Sequence, residues 1–196
     1  MTSEAHEIVL VRHGETEWSR SGKHTGRTDV PLTEGGRSQA RLVGAALRNR
    51  RFAAVWTSPL ARALETCRLA GFGEVDMPSE GLVEWDYGEY EGRTTLEIRR
   101  ERSGWTLWRD GAPGGETVDE VEARVDRALA EIASVGGDVL LFAHGHVLRV
   151  LAARWLGLEP AEGRLFALDP ATLSVLGYER ETQVIRLWNQ PVPDPG

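Results

Sequence analysis

Three short apolar runs, each breaking off into polar residues, constrain the fold of this chain more than any other feature. Residues 8–11 run into Arg12-His13-Gly14-Glu15, and residues 53–57 into Ser58-Pro59, with Arg62 one helical turn further on. Residues 139–143 run into His144-Gly145-His146. Runs of this length and of apolar, β-branched character read as buried strands. Helical patterns separate them. Thr33 caps a helix to about Arg50, with Ala40, Val43, Gly44 and Leu47 on one face. Ser58 and Pro59 read as cap and first-turn proline of a helix that ends at Gly71. Thr117-Val118-Asp119-Glu120 is a capping box, opening a helix whose buried face is Val118, Val121, Val125, Leu129 and Ile132. Strands alternating with helices form a mostly parallel central sheet with helices on both faces. The expected class is α/β, a three-layer sandwich.

The remaining segments fill in around that sheet. Residues 14–31 and 78–92 read as loop, 94–101 as a short helix and 146–156 as a helix. Residues 165–168, 173–178 and 184–188 read as strands, the last two as a hairpin. A chain of 196 residues is enough for one domain. Residues 1–190 are assigned to it, and the proline-rich residues 191–196 to a flexible tail. Thirty acidic against 23 basic side chains leave a net charge of −7. That balance argues against nucleic acid or an anionic membrane surface as partner. No apolar run approaches a membrane span, and the N-terminal residues lack the basic and apolar regions of a secretory signal. The single cysteine, Cys67, excludes an intrachain disulfide framework and reads as core packing. A cytoplasmic location follows as the expectation.

In an open α/β sheet ligands bind outside the carboxyl ends of the strands. The three polar strand ends therefore bring Arg12, His13, Arg62 and His144 toward one edge. Two guanidinium groups match an anion with several oxygens, phosphate above all. Gly14 and Gly145 allow close backbone approach, and helix starts after Ser58 and Gly145 add partial positive charge. Taken alone, His144 and His146 fit either a helix start or a pair of metal ligands. A GxxxxGK[ST] loop, a GxGxxG turn after the first strand and an HExxH helix are all missing.

At these residues the chain resembles the histidine phosphatase superfamily, in its phosphoglycerate-mutase-like branch. Five blocks carry the resemblance, in family order. They are Leu10-Val11-Arg12-His13-Gly14-Glu15-Thr16, residues 25–33 (TGRTDVPLT), Ser58-Pro59-Leu60-Ala61-Arg62-Ala63, residues 84–92 (EWDYGEYEG) and Ala143-His144-Gly145-His146. The resemblance implies that His13 takes the phosphoryl group as a phosphohistidine. It implies that Arg12, Arg62 and His144 clamp the phosphoryl oxygens, and that Glu84 gives a proton to the leaving group. Thr25 and Gly26 match positions that approach the phosphate. Ser19 stands where relatives commonly carry asparagine and is a weaker phosphate contact; Gly145 adds its backbone. Glu15, Glu89 and Glu91 are alternative donors, Glu84 being preferred on the family pattern.

Such a reaction needs no metal and no cofactor, since arginines and histidines supply the positive charge. Requiring a protonated acid implies an optimum below neutral pH. Three readings follow from the resemblance. The first is an acid phosphatase, a hydrolase passing phosphate from a small phosphorylated substrate to water. The second is a phosphoglycerate mutase, and the third a non-catalytic phospholigand-binding module. Mutases of the family carry a longer insertion between the donor loop and the second histidine, which excludes water. The stretch from Glu84 to His144 is short, so hydrolysis is preferred. Residues 84–92 and 113–117 also resemble the broad-specificity acid phosphatases of this branch. Trp85, Tyr90, Trp105 and Trp108 fit either an apolar mouth or the core. His24 fits either the pocket rim or the surface, and His146 either a helix start or the chemistry. Arg93, Arg99, Arg100, Arg102 and Arg109 fit either a second acidic group of the substrate or a solvated face. The sequence specifies neither the substrate nor the oligomeric state.

Overall fold

The computed structural model describes residues 6–73 and 77–193. Among them a six-stranded sheet runs in the order β3-β2-β4-β1-β5-β6. Its strands are β1 (Ile8–Arg12), β2 (Ala54–Thr57), β3 (Met77–Pro78), β4 (Val139–Ala143), β5 (Leu173–Glu179) and β6 (Thr182–Gln190). The strands from β3 to β1 are parallel, and β5 and β6 add an antiparallel hairpin beside β1. The helices are α1 (Glu17–Ser21), α2 (Glu34–Leu47), α3 (Ala61–Leu69), α4 (Thr95–Glu101), α5 (Leu107–Asp110), α6 (Val118–Ala133) and α7 (Gly145–Trp155).

Two cores divide cleanly by strand alternation. Val9, Val11, Val55, Leu140 and Phe142 point to one face and pack with Val43 and Leu47 of α2 and Cys67 of α3. Ile8, Leu10, Trp56, Val139 and Leu141 point to the other, with Val121 and Val125 of α6 and Val147, Val150 and Leu151 of α7. The three-layer α/β architecture of the sequence reading is therefore the observed one.

The register sets the site. Arg12 is level with Ala143, and Thr57 with Phe142. One further ladder bond holds each strand end: the amide of His13 donates to Ala143 O and that of Ser58 to Phe142 O, both 2.9 Å. From adjacent strands β1 and β4 the chain departs to opposite faces, toward α2 and α7 respectively. Such a divergence opens a crevice at the carboxyl end of the sheet.

Several local expectations are corrected. Residues 165–168 are not a strand: Leu165 closes a 3-10 turn, Pro160–Leu165, and is largely exposed. β5 already has β1 on one side and β6 on the other, so residues 165–168 cannot pair with it. α3 begins at Ala61, capped by Leu60 without a side-chain bond, and Ser58 is not its cap. Its hydroxyl is taken by His144 instead. The segment read as loop over 14–31 contains α1, opened by a capping box between Thr16 and Ser19. Residues 78–92 contain the 3-10 turns Glu80–Leu82 and Gly88–Tyr90. On α6, Arg124 and Ala128 are buried, whereas Val118 and Leu129 are only half-buried. Of the presumed tail, Val192 packs against the Val9–Phe142 core, and residues 194–196 lie outside the described residues. The N-terminal residues 1–5 lie outside them too. Among the described residues, no helix is long and apolar enough to cross a membrane.

Candidate active site

A cavity of about 250 Å³ occupies the crevice, lined by Arg12, His13, Ser19, Thr25, Glu84 and Gly145, among others. Arg62 and His144 lie directly behind it, fully buried. A larger cleft, about 410 Å³, opens at the amino ends of β1 and β4 and holds none of these groups.

His13 is 4% exposed, and its Nδ1 lies 2.8 Å from the carbonyl of Gly14. A carbonyl can only accept, so Nδ1 carries the proton and Nε2 keeps its lone pair. Burial, followed by the charges of Arg62 and Arg12, holds this imidazole well below the usual histidine range. The ring is therefore neutral, as a nucleophile must be. The Gly14 amide is fixed in turn by Thr66 Oγ1, 3.1 Å away on α3. No side chain fits at residue 14, because a Cβ there would meet Gly36 O at 2.4 Å.

Arg62 is held by the first loop. Its Nη1 donates to Thr28 O (3.1 Å), and its Nη2 to Gly26 O (2.7 Å) and Thr25 O (3.2 Å). Asp29 stands 3.8 Å away. Arg12 donates through Nη1 to Leu168 O, and its guanidinium lies against the start of α7, where a Cβ on Gly145 would touch Cζ at 3.4 Å. His144 Nε2 lies 2.7 Å from Ser58 Oγ, and its ring centroid 5.1 Å from that of His13. Burial and the Arg62 charge keep His144 well below its usual range as well. Among the described residues three buried nitrogens have no hydrogen-bond partner: Arg12 Nε, Arg62 Nε and His144 Nδ1. All three belong to the groups surrounding the His13 ring. The two guanidinium Nε–H groups are buried donors without an acceptor, and such donors are costly, so their concentration beside the His13 ring points to an anion with several oxygens.

Glu84 is 4% exposed. Its Oε1 accepts the amides of Trp85 (3.0 Å) and Val147 (2.9 Å), and its Oε2 that of His146 (3.0 Å). The loop bearing it is pinned from α6, where Arg124 donates to Gly81 O (3.0 Å) and Val83 O (2.6 Å) and pairs with Glu116 (2.8 Å). The alternative donors are engaged elsewhere. Glu91 accepts the amides of Arg27 (2.6 Å) and Thr28 (3.0 Å), Glu15 meets the Thr33 hydroxyl (2.8 Å), and Glu89 is exposed. Ser19 lines the cavity, but its hydroxyl is shared with the backbone of Thr16, bonding its amide at 2.9 Å and its carbonyl at 3.0 Å. Thr25 and Gly26 act through their carbonyls, as the cradle of Arg62.

The structure resolves the open aromatic and histidine readings. Trp85, Trp105 and Tyr90 are buried in the core. Trp108 is half-buried, with His146 at 5.3 Å between ring centroids. His24 lines the cavity, its Nε2 3.2 Å from Thr95 Oγ1, and burial pushes it down to about 4. His146 Nδ1 lies 2.7 Å from Tyr87 OH. Arg93 and Arg109 pair with Glu101 and Asp110, so those arginines form a solvated face. Among the described residues no three His, Cys, Asp or Glu side chains are grouped to hold a metal ion. Sequence reasoning gave no role to Tyr87, Thr95 or Arg149, all of which line the cavity. Only Arg149 left a trace, its spacing of four from Gly145 on a helix.

Comparison with known proteins places the chain in a family. A model of the histidine phosphatase superfamily (branch 1) matches residues 8–191. An acid phosphatase of Mycobacterium tuberculosis is 42% identical over 195 residues, covering 96% of each chain. Sedoheptulose 1,7-bisphosphatase of Saccharomyces cerevisiae is 38% identical over 182 residues, covering 76% of this chain and 67% of the yeast protein. The solved structure of an open-reading-frame product of M. tuberculosis superimposes with a TM-score of 0.92 at 40% identity, covering 96% of this chain and 99% of that one. The chain is an enzyme of phosphatase type and belongs to branch 1 of the histidine phosphatase superfamily.

Proposed function

We propose that this protein is a metal-independent phosphomonoesterase, hydrolysing small phosphate esters through a phosphohistidine on His13. The observation that carries the reading is the set of three unpartnered buried nitrogens, on Arg12, Arg62 and His144, around a neutral imidazole of fixed tautomer. Phosphoryl transfer runs through a loose transition state whose equatorial oxygens gather charge. Guanidinium groups already desolvated and aimed at one place stabilise that charge without reorganising. Nε2 of His13 attacks phosphorus, the ester P–O bond breaks, and the leaving oxygen takes the proton of Glu84. Glu84, now ionised, takes a proton from water as the water attacks the phosphohistidine, which restores the imidazole and releases phosphate.

His144 contributes without being an imidazolium in the free site. Ser58 Oγ accepts from the Leu60 amide (3.3 Å), and its own hydroxyl proton can go to His144 Nε2. Nδ1–H is then left for a phosphoryl oxygen, and a bound phosphate dianion raises the ring's proton affinity further. Because burial and the Arg62 and Arg12 charges keep His13 neutral well below the usual histidine range, the nucleophile is retained in acid, which supports an optimum below neutral pH. The mutase reading shares the first half-reaction, but the short stretch between Glu84 and His144 favours water as acceptor. A cytoplasmic setting accompanies the proposal, supported by the buried free thiol of Cys67.

Rapid quenching during turnover of a phosphorus-labelled ester tests it. An acid-labile adduct on His13 is expected, together with loss of hydrolysis in His13→Ala. Turnover without label at His13, or retained turnover in that variant, overturns the assignment. Isomerised phosphoglycerate in place of free phosphate would select the mutase.

A further inference from the structure

Arg149 sits one helical turn beyond Gly145 on the same face of α7, about 6 Å along its axis. Gly145 packs against the Arg12 guanidinium, so Arg149 extends the wall that begins at the phosphoryl clamp. Its side chain lines the same cavity as His13 and is half-buried. Carbonyls hold it in place, Nε donating to Gly163 O (3.0 Å) and Nη2 to Arg164 O (3.2 Å). The guanidinium also lies 4.7 Å from the centroid of the Trp108 ring. Neutral carbonyls and an aromatic face orient the cation without cancelling its charge. Among the described residues no carboxylate forms an ion pair with Arg149, whereas Arg37, Arg50, Arg124 and Arg154 all have acidic partners.

Lys23 lines the same cavity, is exposed, and likewise has no ion pair. The other titratable groups between these cations and the clamp are His24, Tyr87, His146 and Glu84. Burial keeps both histidines unprotonated and the tyrosine protonated near neutral pH. Glu84, the one carboxylate in the cavity lining, is engaged by the amides at the start of α7. The described lining of the outer cavity therefore carries two cations against Glu84 alone; Glu97 acts on Lys23 from outside that lining, and Arg149 has no such second carboxylate.

Building on the phosphatase reading, we infer that Arg149 and Lys23 form a second anion subsite, so that the preferred ester carries a carboxylate or second phosphate on its leaving group. Phosphate binds at the Arg12, Arg62 and His144 clamp, and the distal anion meets the Arg149 fork one helical turn away. A neutral alcohol leaves that guanidinium without its charge partner and binds less tightly.

Matched substrate pairs test this through release of inorganic phosphate. One pair is 3-phosphoglycerate against glycerol 3-phosphate, differing at a carboxylate. The other is fructose 1,6-bisphosphate against fructose 6-phosphate, differing at a phosphate. 4-Nitrophenyl phosphate serves as reference. The charged member of at least one pair should exceed its partner about tenfold in kcat/KM, and the pair that discriminates names the distal anion. In Arg149→Gln that ratio should fall about tenfold, through KM, and in Lys23→Gln about threefold. Among the described residues the lysine side chain makes no hydrogen bond or ion pair and only overlies the Trp18 ring, 5.9 Å from its centroid, so its variant keeps the test informative should Arg149→Gln fail to fold. Equal rates within both pairs for the wild type overturn the subsite, as does a parallel fall of both members in the variants. Failure of the wild type to turn over 4-nitrophenyl phosphate would instead overturn the phosphatase reading itself.

Discussion

Glu84 Oε1 lies 2.9 Å from the amide of Val147, the third residue of α7. His144, at the cap position of that helix, makes no side-chain capping bond, so the Glu84 carboxylate supplies the missing acceptor. Anions are stabilised at helix N-termini by the unpaired amides and the helix dipole. One side chain thus completes the helix that begins at His144 and lines the cavity beside His13.

Its two roles separate by leaving group. An alkoxide requires a proton as it departs, whereas a nitrophenolate does not. Glu84→Ala should lower kcat for glycerol 3-phosphate by about 10²–10³-fold, and for 4-nitrophenyl phosphate by less than about tenfold. Loss of the cap should cost about 1 kcal/mol of stability, measured by urea unfolding. If rates for both esters fall by one common factor, Glu84 acts as a cap and not as the acid.

The sequence made the catalytic edge legible for a physical reason. β1, β2 and β4 are short and almost fully buried, so their apolar runs are uninterrupted and their polar ends abrupt. Ser58 shows where local reading stops. A serine before a proline carries the pattern of a helix cap, yet beside a long 3.3 Å bond from the Leu60 amide the close partner of its hydroxyl is His144, 86 positions away. Arg124 behaves similarly, standing on the buried side of α6 because carbonyls of residues 81 and 83 and the Glu116 carboxylate satisfy it. Trp85 and Trp105 are buried yet each indole N–H reaches a carbonyl, of Glu116 (2.9 Å) and Gly111 (2.8 Å). Long-range polar partners of this kind leave no periodicity in a sequence.

Acid stability follows from four histidines. Burial depresses His13, His144 and His146 well below the usual range and His24 to about 4. In the unfolded chain these groups titrate near ~6.5. Between the two values the unfolded state binds more protons, so their contribution to stability is complete above about pH 6.5 and is lost as pH falls toward the folded values. The Tm should drop by at least about 5 °C between pH 7 and pH 4.5. Inorganic phosphate should offset part of that drop, because an anion in the clamp favours the protonated ring of His144. His24→Gln should flatten the slope by removing one of the four groups. A Tm independent of pH over this range would contradict the neutral buried imidazoles.

The turn that aims His13 depends on two backbones in contact. A Cβ at residue 14 would come within 2.4 Å of Gly36 O and 3.1 Å of Gly36 Cα, on a helix that cannot retreat from β1 without unpacking Val43 and Leu47. Gly14→Ala should therefore cost about 2–3 kcal/mol by overpacking. Displacement of the Gly14 carbonyl would also release Nδ1 of His13 and with it the tautomer that leaves Nε2 free. Gly22→Ala is the matched control. Gly22 has φ of +70° with nothing within 4 Å of a Cβ, so the cost there is about 1–2 kcal/mol from backbone conformation alone. Urea unfolding of the two variants, read alongside kcat for 4-nitrophenyl phosphate, distinguishes contact from conformation. Gly14→Ala should lose turnover even at low temperature, where the folded state is fully populated. Normal turnover by folded Gly14→Ala would show that the imidazole is aimed by something other than this turn.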